Sequence, residues 1–86
     1  GITMPTWFCM DAIGTNPCYD TSNVHVMNQT VYTNAQIDGK TAPMIIQCNR
    51  KVYTIMLGGE VYTHYYRPGS VADAICDIEL SIRKNP

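Results

Sequence analysis

The chain has 86 residues, a net charge of −1 and only 15% charged side chains. That balance gives no field for drawing in polyanions and counts against a nonspecific nucleic-acid binder, and no apolar run approaches the roughly 20 residues that a membrane-spanning helix needs. One domain of this length buries only about 60 to 65% of its unfolded surface, so it is marginal without staples. Four cysteines can supply them. They are widely spaced and form no CxxC pair, which argues against a zinc ribbon or thioredoxin motif and for two disulfides in a secreted protein. No metal or cofactor is expected. Residues 1–7 lack the basic start and long apolar core of a signal peptide, so the sequence reads as a mature secreted form.

In chain order, Thr6-Trp7-Phe8-Cys9-Met10 reads as a short strand tied down by Cys9, with Trp7 as a core or terminal-strand anchor. Gly14-Thr15-Asn16-Pro17 reads as a turn. Cys18-Tyr19-Asp20-Thr21-Ser22-Asn23 is a cluster of helix-capping residues. Beyond it, Val24, Met27, Val31 and Ala35 recur at helical spacing, although Val24, Val26, Thr30, Val31 and Thr33 are β-branched and Val24-His25-Val26 alternates like a strand. The caps before this segment and the Asp38-Gly39 stop after it favour a helix over 24–36, with His25 on its solvent side. Asn28-Gln29-Thr30 fits a glycosylation acceptor, a short motif of little weight. Pro43 to Cys48 reads as a buried strand, Asn49-Arg50 as a bend, and Arg67-Pro68-Gly69-Ser70 as a loop. Ala72 to Cys76 and the alternating Ile78, Leu80 and Ile82 suggest a closing strand, with a further edge strand that could serve as a partner surface.

The strongest local signal lies at Lys51 to Tyr66. Two runs rich in β-branched and aromatic residues flank Gly58-Gly59, the signature of a hairpin with a primed turn. The turn sets the register: Leu57 opposite Glu60, Met56 opposite Val61, Ile55 opposite Tyr62, Thr54 opposite Thr63, Tyr53 opposite His64. One face then carries Lys51, Tyr53, Ile55, Tyr62, His64 and Tyr66; the other carries Val52, Thr54, Met56, Val61, Thr63 and Tyr65. These elements together predict an α+β domain spanning residues 1–86, with one helix on an antiparallel sheet of four to five strands.

Trp7-Phe8-Cys9 resembles the aromatic-any-Cys motif near the mature N-terminus of the RNase-like effectors secreted by cereal powdery mildew fungi, altered relatives of the guanine-specific fungal ribonucleases. Pro17 to Val24 is similar to the ribonuclease segment entering its single long helix, and Val61-Tyr62-Thr63-His64 to the strand with its catalytic histidine. Pro68-Gly69-Ser70 and Cys76 resemble its C-terminal loop and cysteine. The resemblance implies a ribonuclease-like fold and a Cys9–Cys76 bridge, leaving Cys18 for Cys48; the sequence itself permits three pairings. It also implies a virulence or avirulence protein delivered into host plant cells, where it binds a host protein, including an intracellular immune receptor in some cases. The chain is expected to be a monomer with weak RNA binding at most.

Cleavage of RNA by this chemistry needs a general base, a general acid and cations for the phosphorane charge. His64 could act as the acid, with Lys51 on the same face or Arg67 on phosphate; Arg50 falls on the other face. The family's base is missing. Depending on how Thr41-Ala42-Pro43-Met44 is matched, its position holds Thr41 or Met44, and neither takes a proton at neutral pH. Glu60 sits about four residues along the strand from His64, over ~10 Å away. His64 and Lys51 are therefore read as vestigial. Tyr53, Tyr62, His64, Tyr66 and Arg67 are the candidate binding residues, although tyrosines are first of all good strand formers and Lys51 and Arg67 suit solvated edges. The expectation is a binding protein; the competing expectation is a small active ribonuclease.

Overall fold

Tight turns, two residues long at 28–29 and 58–59 and four at 48–51, draw the middle of the chain into an antiparallel meander. The computed structural model describes residues 4, 6–9, 17–37 and 39–84. Within them lie strands β1 (Trp7–Cys9), β2 (Cys18–Asp20), β3 (His25–Met27), β4 (Thr30–Ile37), β5 (Lys40–Gln47), β6 (Val52–Leu57) and β7 (Glu60–Tyr65), followed by helix α1 (Val71–Lys84). The seven strands form one sheet in the order β1-β2-β4-β5-β6-β7, with β3 pairing β4 beside β2. The domain is thus α+β, one C-terminal helix on a seven-stranded antiparallel sheet. The turn expected at 14–17 falls almost wholly outside the described residues.

The β6–β7 hairpin has the register expected for it, from Leu57↔Glu60 to Val52↔Tyr65. Gly58 and Gly59 take φ of +59° and +82°, the two left-handed positions of a primed turn that only glycine fills without strain.

The segment expected to be a helix over 24–36 is instead the β3–β4 hairpin. Its turn uses the same left-handed geometry without glycine: Asn28 and Gln29 have φ of +51° and +64°. The capping cluster before it serves a different purpose. Asp20 Oδ1 accepts from the Ser22 amide at 3.0 Å, the Ser22 hydroxyl at 2.6 Å and the Thr6 amide at 2.9 Å, closing an Asx turn and strapping the N-terminal strand down. Those hydrogen bonds hold the Asp20 carboxyl below the usual carboxylate range, the Ser22 hydroxyl most of all, against an opposing push from burial. The β-branched residues of 24–33 decided the outcome, and His25 lies exposed on β3 rather than on a helix.

The single helix is at the other end of the chain, where a closing strand was expected. Ser70 caps it, accepting from the Asp73 amide at 3.3 Å, while Asp73 accepts from the Gly69 amide at 2.8 Å. Ala72, Ile75, Cys76 and Glu79 are buried at helical spacing. The alternation of Ile78, Leu80 and Ile82 is therefore incidental, and Ile82 is exposed.

The helix packs on the sheet face that carries Tyr19, Val31, Ala35, Met44 and Ile46, and these form the core with Cys48, Tyr66, Ala72, Ile75 and Cys76. A polar contact ties the helix to the sheet within this core: the Tyr19 hydroxyl donates to Glu79 Oε2 at 2.8 Å. Burial first, and the Glu79 carboxylate second, push the Tyr19 phenol well above its ordinary value. The bridges are Cys9–Cys18, joining β1 to β2, and Cys48–Cys76, joining the end of β5 to the helix. The Cys9–Cys76 and Cys18–Cys48 pairing implied by the resemblance is not the one found. Cys9 and Cys18 are direct cross-strand neighbours, and once 71–84 is a helix on the sheet, Cys76 faces Cys48.

An open aromatic shelf as candidate functional site

The helix covers only part of its face of the sheet. Along the β6–β7 hairpin that face continues through Tyr53, Ile55, Leu57, Glu60, Tyr62 and His64, and every residue of β7 is exposed. Pro43 accounts for the opening. Ile37 pairs with Lys40 across a two-residue turn, and on that parity the nitrogen of Pro43 faces β6, where it has no hydrogen to offer. The β5–β6 ladder ends one residue later at Met44↔Ile55, so the tip of the hairpin runs on without a neighbour. Between that tip and β5 lies a groove of about 310 Å³ lined by Lys40, Ala42, Tyr53, Ile55, Leu57, Tyr62 and His64.

One ring contact and one hydrogen bond order side chains of this shelf. His64 and Tyr53, opposite each other in the ladder, bring their rings to 5.9 Å at a 41° tilt. The Tyr62 hydroxyl donates to Glu60 Oε2 at 2.6 Å, which raises the phenol above its ordinary value. Glu60 is thereby engaged with Tyr62 at the turn. A shelf of this kind offers aromatic faces, an imidazole, one ammonium from Lys40 and an apolar floor, a surface suited to binding.

The structure brings together three of the five expected binding residues, Tyr53, Tyr62 and His64. Tyr66 does not join them. It is buried below the helix, its hydroxyl 3.4 Å from the Cys48 carbonyl and 3.5 Å from Cys76 Sγ. Burial, with Asp73 and Asp77 adding to it, raises its phenol. Arg67 lies exposed in the loop leading to α1. Lys51 sits outside β6 in a left-handed turn conformation, its Nζ 5.9 Å from the centroid of Tyr66. Arg50 is exposed in the same turn. Of the two positions that could have held a base, Met44 is core and Thr41 is exposed on the opposite face from the shelf. Lys40, Ala42 and Leu57 are shelf residues that the sequence reading left out; the signal that could have found them is Pro43, two residues after Thr41 in a run otherwise suited to a central strand. No group of histidine, cysteine, aspartate and glutamate among the described residues could hold a metal ion.

Fold and shelf together define a disulfide-stapled α+β protein with an uncovered aromatic hairpin. Comparison with known protein families, with curated proteins and with solved structures gives no match.

Proposed function

We propose that this chain is a secreted interaction protein of the effector type, binding a host plant protein through the shelf of Tyr53, Leu57, Tyr62 and His64 and turning over no RNA efficiently. The observation that carries the reading is the uncovered hairpin tip, with Tyr62 43% and Leu57 37% exposed beside an exposed histidine. Large aromatic and apolar side chains left unburied on a strand pair are what partner surfaces use as anchors. Two disulfides are consistent with a secreted chain. The RNase-like effectors remain the motive for naming host plant cells and immune receptors. Their ribonuclease frame has less behind it, because the helix position and the disulfide pairing both differ from what they imply.

The chemistry of the shelf supports binding over catalysis. General acid–base cleavage needs a second proton-transfer group near His64, and the only carboxylate of the shelf, Glu60, is hydrogen-bonded to Tyr62. Two measurements test the proposal. Guanosine-containing RNA should be cleaved no faster by the protein than by buffer; turnover that His64→Ala abolishes would sink the proposal and establish the ribonuclease. Proximity labelling in plant cells should enrich a set of proteins that Tyr62→Ala/His64→Ala loses and that Thr41→Ala, on the opposite face, retains. Identical sets from all three would remove the shelf from the interaction.

A further inference from the structure

β7 ends the sheet, and the two-residue turn determines which of its main-chain groups are used. Leu57 and Glu60 flank the turn as a hydrogen-bonded pair, so Ile55/Tyr62 and Tyr53/His64 are hydrogen-bonded pairs as well. The Tyr66 amide, donating to the Lys51 carbonyl at 2.9 Å, continues the same parity. The N–H and C=O groups of Val61, Thr63 and Tyr65 therefore point away from β6, and no strand among the described residues pairs with them. Edge strands are commonly blunted by lysine, proline, a bulge or an inward charge. Val61-Tyr62-Thr63-His64-Tyr65 has no lysine or proline, and its register with β6 is unbroken by a bulge.

We propose that β7 pairs antiparallel with β7 of a second copy of this chain, about a two-fold axis through Thr63. The occupant is argued from the self-complementarity of the strand. Centred on Thr63, the pairing places Val61 against Tyr65 and Tyr65 against Val61, exchanging the main-chain bonds that the hairpin leaves unused. On the shelf face it places Tyr62 against His64 in both directions. Aromatic with β-branched and aromatic with aromatic are favoured cross-strand pairs, and no like charges meet. The same residues read in a parallel arrangement lose the two-fold match. This inference goes beyond the binding role of the shelf and does not depend on it, although the dimer would set two shelves side by side.

A contact of five residues a side is smaller than a standard interface of ~1,200 Å² or more, so the association is expected to be weak and concentration-dependent. Sedimentation equilibrium between about 10 µM and about 1 mM reads it directly. Thr63→Lys and Thr63→Glu each set like charges face to face on the axis and should weaken self-association roughly tenfold or more. An equimolar mixture of the two should recover a dimer at least as tight as the parent, which also shows that both variants fold. Thr41→Lys, on β5 of the same outer sheet face, should leave association unchanged. A parent chain that stays monomeric throughout, or a mixture no tighter than the single variants, overturns the proposal. So does a free Val-Tyr-Thr-His-Tyr peptide that binds the edge while the protein itself remains monomeric, since the edge would then take a foreign strand.

Discussion

Removing the Cys48–Cys76 bridge tests the observed connectivity most directly. Its partners are 28 residues apart in sequence, against 9 for Cys9–Cys18. In the chain-entropy description, closing loops of those lengths stabilises the fold by about 3.6 and about 2.7 kcal/mol respectively. The longer bridge has more at stake than its loop, because both of its cysteines are buried and it ties the helix to the sheet. A domain of this size has a total stability of about 4 to 13 kcal/mol, so either loss is a large fraction. Cys48→Ala/Cys76→Ala should therefore unfold at markedly lower urea than Cys9→Ala/Cys18→Ala, with loss of helical circular dichroism. Urea titration of the two double variants, each keeping its other bridge, gives the comparison. The reverse order of losses, or proteolytic peptides linking Cys9 to Cys76 in the parent protein, would refute the connectivity and the packing built on it.

Two further outcomes follow from the core and from the N-terminal strap. Tyr19→Phe leaves the Glu79 carboxylate, 6% exposed, without the phenol that donates to it, and should cost about 2 kcal/mol in urea unfolding. Adding Glu79→Leu should recover most of that, whereas an additive second loss would mean that the two groups do not interact. The Asp20 carboxyl titrates lower in the folded than in the unfolded chain, so its contribution is present above the unfolded carboxylate value of ~4 and disappears as pH falls through the folded one. The urea midpoint should fall with acid below about pH 4, and less steeply in Asp20→Ala; equal slopes would assign the acid sensitivity to other groups.

The sequence showed its hairpin clearly because two glycines at the turn leave one register, and it showed β5 because Pro43 to Cys48 is an apolar run of strand length. It misled where one residue type serves two structures. Asp20 and Ser22 cap helices and also close Asx turns, and only the β-branched residues downstream distinguish the cases. The Asn28-Gln29 turn lacks the glycine that would have announced a hairpin, since its backbone is held left-handed by the strands on either side. At the C-terminus the helix was signalled by Ser70 and Asp73 three positions apart, a cue outweighed by an alternation of three apolar residues that fits either period. The shelf was half visible: Tyr53, Tyr62 and His64 follow from parity, but Tyr66 shares that parity and is buried, because coverage by a helix depends on where the helix lies. Disulfide pairing stayed open because four cysteines allow three solutions until the fold is known.

Pro43 has a consequence for how this protein can change. By ending the β5–β6 ladder it separates the hairpin tip from the core, and the side chains of Leu57, Glu60 and Tyr62 lie outside the buried cluster. Substitution there is cheap for the fold and direct in its effect on whatever the shelf touches. Recognition can thus drift, or be redesigned, on a scaffold whose stability is set elsewhere by the helix, the core of β4 and β5, and the two bridges.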